Sequence, residues 1–545
     1  MTDLEVLIDT AASPQRVGTA HVTRSRGRVS TTFLYDPGYL MSGGTNIDPS
    51  LRLDPGAQYC AGLLRAFADT APNRWGRNLI AKAERTHARE ENRTPRRLDD
   101  LDYLLGVSDN TRQGALRFRL PGHADFLGEP STVPRLVSLP ALLRASEQIE
   151  TDDDPAGAVK QLLGTGTTGL GGARPKASVR LDDGGLAIAK FPHSSDRWNI
   201  MAWEATALDL MDSAGIRCPR RSLVAVGASS ILVLRRFDRT DSGERIGYIS
   251  AMTAVEGADG EQRDYVDLAE SVRDLSPSPR RDLHELFGRV VAFVALGNTD
   301  DHLRNHGFLA SRGSWALSPA FDVNPSPDST ARRSTTIAGA ETFPDEIEGL
   351  TALTEDCNMT RKSARERMGT IVDRLAPWRE CARHNRVPER EITMMAEAIA
   401  PRLEALADAA RAAEYIRLTG ILGSNLVGYA GVSVAVVVSS TLALTVTAHA
   451  RSHALWKIIG IPSRSIRSII LAQTGVVGLL GGLVGGLAAL PATGWYLLTW
   501  RDLQTYPADM PVVMPAFAVP LTIVITTVFS VLGGWGAARR AASTP

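Results

Sequence analysis

The sequence is short of cysteine, short of lysine and without net charge. Its four cysteines, Cys60, Cys218, Cys357 and Cys381, stand far apart with no CxxC or Cys/His spacing, which argues against a disulfide framework and a zinc site and fits a reducing cytosol. Sixty basic residues balance sixty acidic ones, so nothing marks the chain as a nucleic-acid binder, and any DNA contact is expected through a partner. Only six of the basic residues are lysine (82, 160, 176, 190, 362 and 457), against 54 arginines. The N-terminus, MTDLEVLIDTAASPQRVG, has no basic region followed by an apolar one; this excludes a secretory signal and predicts a cytoplasmic N-terminal part. Neither the Walker pattern GxxxxGK[ST] nor GxGxxG opening a helix occurs.

What is present is length and an uneven distribution of charge. The 545 residues suggest roughly three or four domain-sized units. Residues 420–545 hold 7 basic and 2 acidic residues, so the rest of the chain carries the compensating acidic excess. Within that last stretch, 426–448 has no charge and is long enough to cross a bilayer core of roughly 30 Å as a helix. Two further Gly-, Ala- and Val-rich runs follow at about 469–498 and 514–537. The expectation is three transmembrane helices, the alternative being three helices buried in one small domain. Before them, short β-like runs (VLIDT, RVSTTFLYD) and a helical stretch make 1–120 a small α+β unit. Pro-rich and acidic pieces make 121–165 a connecting segment.

The chemistry follows. GTGTTGLGGARPKASV (164–179) sets Gly171 and Gly172 among small hydroxyl residues and places Lys176 before a β run. Glycines let backbone N–H groups approach an anion closely. Alone, such a loop is more often a flexible linker. It is followed by a strand-like run ending in Lys190 and a helix carrying Glu204; a strand lysine paired to a helix glutamate holds an ammonium where it meets nucleotide phosphates. The competing reading is two surface charges. In a chain that otherwise uses arginine, however, two of six lysines fall in these segments, and a compact ammonium is not interchangeable with a guanidinium at phosphate. SSILVLRRFDR (229–239), with Arg236 and Asp238, reads as a buried strand running into charges, an edge that could join two lobes beside an adenine pocket.

NTDDHLRNHGFL (298–309) follows the apolar run VVAFVALG and sets Asp300 and Asn305 five apart, the interval of Asp and Asn in the protein-kinase loop HRDLxxxN. There the Asp takes the hydroxyl proton and the Asn binds magnesium. Seventeen residues beyond Asn305, LSPAFDVNP supplies Asp322, a second oxygen ligand for a hard cation. A helix-to-turn cap would account for one or two of these residues. The complete set, in kinase order over about 160 residues, favours phosphoryl transfer.

GGARPKASV, NTDDHLRNHGFL and FDVNP resemble the HipA-like serine/threonine kinases, toxins of bacterial toxin–antitoxin modules. The resemblance covers about 1–415 and includes FLYDPGYL, FADTAPNRWGR, LLGVSDNTRQGALRF, ERIGYISAMTAVEG and STTIAGAE. It implies an α+β, two-lobed protein-kinase-like fold, with a small N-terminal α+β subdomain (1–120) and a catalytic domain (166–415). It implies Asp300 as catalytic aspartate, His302 as its support, and Asn305 and Asp322 as Mg²⁺ ligands. Lys190 with Glu204, Gly171, Gly172 and Lys176 would lie on the ATP phosphates, with Arg236 and Asp238 on the nucleotide side. Some members of the family phosphorylate a serine before the Gly-rich motif and thereby inactivate themselves. Here the nearby hydroxyls are Thr165, Thr167 and Thr168, which puts that regulation in doubt.

HALWKIIGIPSRSIRSIILAQTGVVGLLGGLVGG is similar to the FtsX-like permease domain of ABC exporters, over about 420–545. The extracytoplasmic domain and one helix of a complete permease have no counterpart. The halves also conflict. Arg451, Lys457, Arg464 and Arg467, with Arg539 and Arg540, favour the inside, so three spans would place residue 420 outside, while a kinase needs cytoplasmic ATP. Either the first segment does not cross, or the basic loop is forced out, or the chain is a chimera of two reading frames; the chimera ranks first.

The resemblances imply a Mg²⁺-dependent kinase using ATP on a protein Ser or Thr, with a translation component such as an aminoacyl-tRNA synthetase as substrate. They also imply a HipB-like helix-turn-helix antitoxin that contacts DNA, and a multi-pass location at the bacterial inner membrane beside ABC-transporter components. The reading from another class is a permease subunit whose soluble part is an inactive regulatory domain.

Overall fold

The computed structural model describes residues 1–9, 13–25, 28–128, 131–151, 156–166, 174–258, 260–411, 458–502 and 518–543, with isolated positions between 437 and 456. Met1–Ala410 form one compact unit and Arg411–Pro545 a second. The boundaries read from sequence at 120 and 165 fall inside the first unit.

The first unit opens with a five-stranded antiparallel sheet: β1 (Thr2–Ile8), β2 (Gln15–Ser25), β3 (Arg28–Tyr35), β4 (Gln58–Cys60) and β5 (Leu116–Arg119), in the order β4-β3-β2-β1-β5. Alternation decides its faces: along β3, Val29, Thr31, Phe33 and Tyr35 are buried while the residues between them are not. Gly18 is required where β2 meets β3, because a Cβ there would lie 2.2 Å from the Leu34 carbonyl oxygen. Four helices accompany this sheet, α1 (Pro37–Met41), α2 (Arg65–Thr70), α3 (Arg74–Glu90) and α4 (Asp100–Leu105). Phe67 of α2 meets Phe33 and Phe118 edge-on, at ring-centroid distances of 6.2 and 5.0 Å.

After α5 (Leu139–Thr151) and α6 (Ala156–Gly164) comes a four-stranded antiparallel sheet: β6 (Lys176–Arg180), β7 (Leu186–Lys190), β8 (Arg221–Val226) and β9 (Ser229–Arg235), ordered β6-β7-β9-β8. The helix α7 (Ile200–Ser213) lies against it, buried from Ile200 to Leu208 and capped by Asn199, whose side chain accepts from the Ala202 amide at 3.1 Å.

The rest is mainly helical. In chain order it runs β10 (Tyr248–Ser250), α8 (Ala251–Ala254), β11 (Arg263–Asp264), α9 (Tyr265–Leu275), α10 (Pro279–Leu296), β12 (Gly307–Ser311), β13 (Ser314–Leu317), β14 (Thr335–Thr336), α11 (Glu346–Asp356), α12 (Arg361–Leu375), α13 (Trp378–His384) and a helix over 389–411. The apolar run in α10 reads as continuous because Val290–Leu296 are buried on every side. Gly297, at φ +66°, ends the helix in the left-handed conformation and turns the chain out into 298–306.

The N-terminal region is joined to the segment after β9 by a buried ionic contact. Arg236 donates to the carbonyl oxygens of Thr111 (2.5 Å) and Arg112 (3.2 Å), and to both oxygens of Asp238 at 2.8 and 2.5 Å. Asp238 also accepts from the Gly114 amide (2.8 Å) and from Arg239 (2.9 Å). Burial works against charge on Asp238, but the two guanidinium groups outweigh it and hold the carboxyl well below the usual carboxylate range.

In the second unit, helices Ser463–Asp502 and Ala518–Ser543 pack antiparallel along a seam of glycines. A Cβ at Gly482 would lie 2.2 Å from Thr526 Oγ1 and one at Gly478 2.8 Å from the Thr527 Cα, so only glycine permits this approach. Outward-facing Val477, Leu480, Val484, Val524, Val528 and Leu532 are exposed.

The expectation of three transmembrane helices is corrected here. Among the described residues one helix is long and apolar enough to cross a membrane, Ser463–Gly485, with a mean hydropathy of 1.8; it overlaps the run read at 469–498. The run read at 514–537 contributes the shorter apolar segment Ile523–Gly536, which rises only about 21 Å. The run read at 426–448 lies outside the described residues, apart from isolated positions. A multi-pass location therefore has no support among the described residues.

Replacing Asp238 by alanine leaves two buried guanidiniums without their counter-ion. The expected cost is about 3–5 kcal/mol, read as a lower urea midpoint of tryptophan fluorescence. A midpoint equal to that of the parent would show that the ion cluster does not hold the N-terminal region in place.

Candidate active site

β7 ends on Lys190, and this side chain organises the site. Its ammonium donates to both oxygens of Glu204 on α7, at 2.7 and 2.9 Å, and to Asp322 Oδ1 at 2.7 Å. Burial disfavours charge on all three groups. For Lys190 the two carboxylates outweigh burial and push its pKa above the usual lysine value. For Asp322, the ammonium groups of Lys190 and Lys176 outweigh burial and hold the carboxyl well below its usual range. Burial pushes the Glu204 carboxyl up, and the ammonium bonded to both its oxygens opposes that.

Lys176 stands directly across from Lys190 in the β6–β7 register, and both are buried. Burial first, and then the neighbouring Lys190 charge, lowers its pKa from the usual lysine value to about 8.

The segment delivered by Gly297 forms the facing wall. Asp300 is exposed to the cleft, while Asn305 is buried in a short 3-10 turn, Leu303–Asn305. The Asn305 side-chain amide donates to the Asp300 carbonyl oxygen at 2.8 Å, leaving the Asn305 Oδ1 as the candidate metal donor. Enclosure in the cleft raises the Asp300 carboxyl; His302 opposes this, and Asp322 and Asp301 reinforce it. His302 lines the same cleft, and its Nδ1 is buried without a partner among the described residues. Asp322 has φ +57°, a left-handed conformation that costs roughly 1–2 kcal/mol for most residues and that aspartate adopts more readily. Its neighbour Asn324 donates to Asp322 Oδ1 at 3.4 Å and, through its own amide N–H, to Asn298 Oδ1 at 3.1 Å, so the 322 and 298 segments are held together.

Lys176, Lys190, Asp300, His302, Asn305 and Asp322 line one cleft of about 940 Å³, which also takes in apolar Ile188, Leu234, Phe237 and Phe321, with Glu204 buried behind Lys190. The cleft thus offers an apolar end of the kind an aromatic base fills, two ammonium groups, and carboxylate and amide oxygens. Arg236 and Asp238 border it, but their charged ends are engaged with residues 111–114. Gly171, Gly172, Thr167 and Thr168 lie outside the described residues. Thr165 is buried and its hydroxyl donates to the Leu162 carbonyl oxygen at 2.6 Å.

A divalent cation fits the donor set. Asp322 is held ionised, and its Oδ2 accepts no hydrogen bond among the described residues. Among those residues no three His, Cys, Asp or Glu side chains converge as a cage. That suits an ion that takes one or two protein oxygens and completes its shell with phosphate and water, as Mg²⁺ does.

Sequence reasoning missed the charged ladder behind this wall. Asp301 bonds Arg333 and accepts from the Tyr265 hydroxyl at 2.5 Å; Arg333 donates to Glu346 at 2.7 Å, and Arg402 donates to the other Glu346 oxygen at 2.7 Å. All four charged residues are buried. The doubled acid at 300–301 was the available signal, since one of two adjacent carboxylates on a turn faces inward. Nothing singled out Arg333 and Arg402 among 54 arginines.

Residues 168–379 match the HipA-like C-terminal domain family, and 426–545 match the FtsX-like permease C-terminal family. The resemblance carried by GGARPKASV, NTDDHLRNHGFL and FDVNP, and that of the C-terminal stretch, are thereby borne out. Among solved structures, HipA of the Shewanella oneidensis MR-1 toxin–antitoxin system, solved with HipB and its operator DNA, aligns with a TM-score of 0.55. The sequence identity is 13%, and the match covers 75% of this chain and 96% of that one. The proinflammatory kinase CtkA of Helicobacter pylori aligns with a TM-score of 0.33 at 15% identity, over 44% of this chain and 95% of that one. No protein of curated function matches the sequence. The fold is a mixed α+β, HipA-like fold, and an FtsX-like domain accompanies it.

A lysine whose pKa lies near 8 is charged below that pH and loses its charge above it. Affinity for any phosphate-bearing ligand held by this ammonium is therefore expected to hold up to about pH 8 and then to weaken by as much as about tenfold per pH unit toward pH 9. Lys176→Arg should flatten the profile; an unchanged slope in that variant would place the titration elsewhere.

Proposed function

We propose that this HipA-like chain is a protein kinase that transfers the ATP γ-phosphoryl group to a Ser or Thr hydroxyl of another protein. One observation carries the reading. The Lys190 ammonium is fixed between Glu204 and Asp322 in the same cleft as Asp300 and Asn305, which sets a phosphate-holding charge and a candidate base on one cavity. Asp300 accepts the proton of the attacking hydroxyl, whose oxygen forms the new bond to phosphorus as ADP leaves. Its raised pKa makes it the stronger base. Lys190 and Lys176 would hold phosphate oxygens, and Asn305 and Asp322 would hold Mg²⁺, which when bound would neutralise charge on the phosphates. His302 supports the turn that presents Asp300.

The acceptor protein is proposed to be a translation component such as an aminoacyl-tRNA synthetase, and the restraining partner a HipB-like helix-turn-helix antitoxin through which DNA is contacted. Both rest on the likeness to HipA proteins. The FtsX-like domain supports association with the bacterial inner membrane, with ABC-transporter components as its class of partner. The permease reading, with an inactive soluble region, is disfavoured because Lys190, Glu204, Asp300, Asn305 and Asp322 are all present and arranged about one cleft.

The test is transfer of labelled phosphate by the full-length chain in detergent, with Mg²⁺, ATP and a bacterial lysate. Asp300→Asn should lower the rate about 10²–10⁴-fold with ATP still bound, and transfer by the parent should fall as pH drops through the raised carboxyl pKa of Asp300. Transfer unaffected by Asp300→Asn would exclude this residue as the base. Absence of transfer by the parent to any lysate protein would favour the regulatory-domain reading. Separately, the chain should remain with the membrane pellet after alkaline carbonate washing. Its release would exclude insertion of Ser463–Gly485.

A further inference from the structure

We infer that the stretch Asp69–Trp75 is a clasp that sets the gap between the two walls of the cleft, with Asp69 and Trp75 as positioning residues. Only its catalytic consequence rests on the phosphoryl-transfer reading.

Asp69, at the end of α2, reaches the catalytic wall. Its Oδ2 accepts from the Ser250 amide and its Oδ1 from the Ser250 hydroxyl, each at 2.7 Å, and Oδ1 lies 3.8 Å from the Arg304 guanidinium. Ser250 is one strand away from the catalytic segment. It pairs with Gly307 in the β10–β12 ladder, and the next residue, Ala251, donates its amide to the His306 carbonyl oxygen at 2.8 Å. A push on Ser250 is therefore felt at 300–306.

Trp75, six residues on, holds the phosphate-side wall. Its indole N–H donates to the carbonyl oxygen of Lys176 at 3.3 Å, and its buried ring packs in the same apolar cluster as Ala177, Val179 and Ala189 of β6 and β7. Between the two anchors, Asn73 and Arg74 line the cleft itself.

The stretch has little slack. α2 ends at Thr70 and α3 begins at Arg74, so only Ala71, Pro72 and Asn73 separate two helices, and Pro72 fixes one of their backbone angles. Six residues span at most about 20 Å even when fully extended. The walls therefore cannot separate beyond the reach of this stretch while both anchors hold. The Arg236–Asp238 contact ties the segment after β9 to the same N-terminal region. Opening of the cleft must then carry the N-terminal region along or break an anchor.

The test is amide hydrogen exchange on the full-length chain in detergent without nucleotide, which needs no turnover. Trp75→Phe keeps an aromatic ring in the apolar cluster but removes the indole N–H and some buried volume, and Asp69→Asn keeps the shape and removes the charge. Each substitution should speed exchange on the wall it does not touch: 300–307 for Trp75→Phe and 176–180 for Asp69→Asn. About fivefold is expected for one lost hydrogen bond, with β1 to β3 unchanged. Where transfer is measurable, Asp69→Asn should lower kcat while half-saturation by ATP stays within about twofold. Faster exchange confined to the wall nearest the substitution, or spread evenly over the molecule, would overturn the clasp. That result would leave the kinase reading untouched, just as absence of transfer would leave the exchange result intact.

Discussion

One ammonium held by two carboxylates is the contact about which the site is built. Lys190 belongs to β7, Glu204 to α7 and Asp322 to the segment after β13, so a single nitrogen joins three parts of the chain that sequence places up to 132 residues apart. The arrangement carries one more negative charge than positive, and Lys176 beside it brings the count to balance. Such a cluster would be costly to bury if any member were missing. Its placement on a cleft rather than in the core leaves Asp322 Oδ2, which accepts no hydrogen bond among the described residues, at the cleft beside Lys176 and Lys190.

The facing wall depends on charge in a different way. The turn at 298–306 is too polar to be held by packing, and it is fixed from behind by the ladder Asp301–Arg333–Glu346–Arg402. Neighbouring acids thus take opposite parts: Asp301 points inward, its Oδ2 bonded to Tyr265 and Arg333, while Asp300 faces the cleft with its proton affinity raised by its surroundings. The buried His306 has its pKa lowered to about 3 by burial and stays neutral at its contact with the Tyr265 hydroxyl, so it adds no competing charge beneath the turn. The N-terminal region completes the frame by anchoring on both walls and on the segment between them.

Much of the site was legible because its chemistry is carried by residue types at fixed spacings. Asp300, Asn305 and Asp322 stand out by interval, and Lys176 and Lys190 stand out because the chain uses so little lysine. Glu204 was legible as the partner of Lys190 because a lysine ending a strand and a glutamate on the next helix can pair. Arg236 and Asp238 were visible as charges at the end of a strand, but whether they meet a nucleotide or the carbonyl oxygens of Thr111 and Arg112 depends on which part of the chain folds back onto them. The membrane segments show the limit of counting apolar residues: hydropathy located the apolar runs, while the described helices contain one span of sufficient length.

By itself the sequence determined the inventory: a lysine-poor, arginine-rich N-terminal region with the residues of a candidate phosphate site in kinase order, followed by glycine-rich apolar runs. Local patterning is enough for that, because alternation along β3 and the apolar run of α10 report their own burial. Only the tertiary structure decided which of two adjacent aspartates faces the cleft, which arginines sit in the ladder, and that Asp69 and Trp75 reach opposite walls. Those outcomes rest on contacts between residues 13 to 181 positions apart, where the identity of each partner is set by how the whole chain packs.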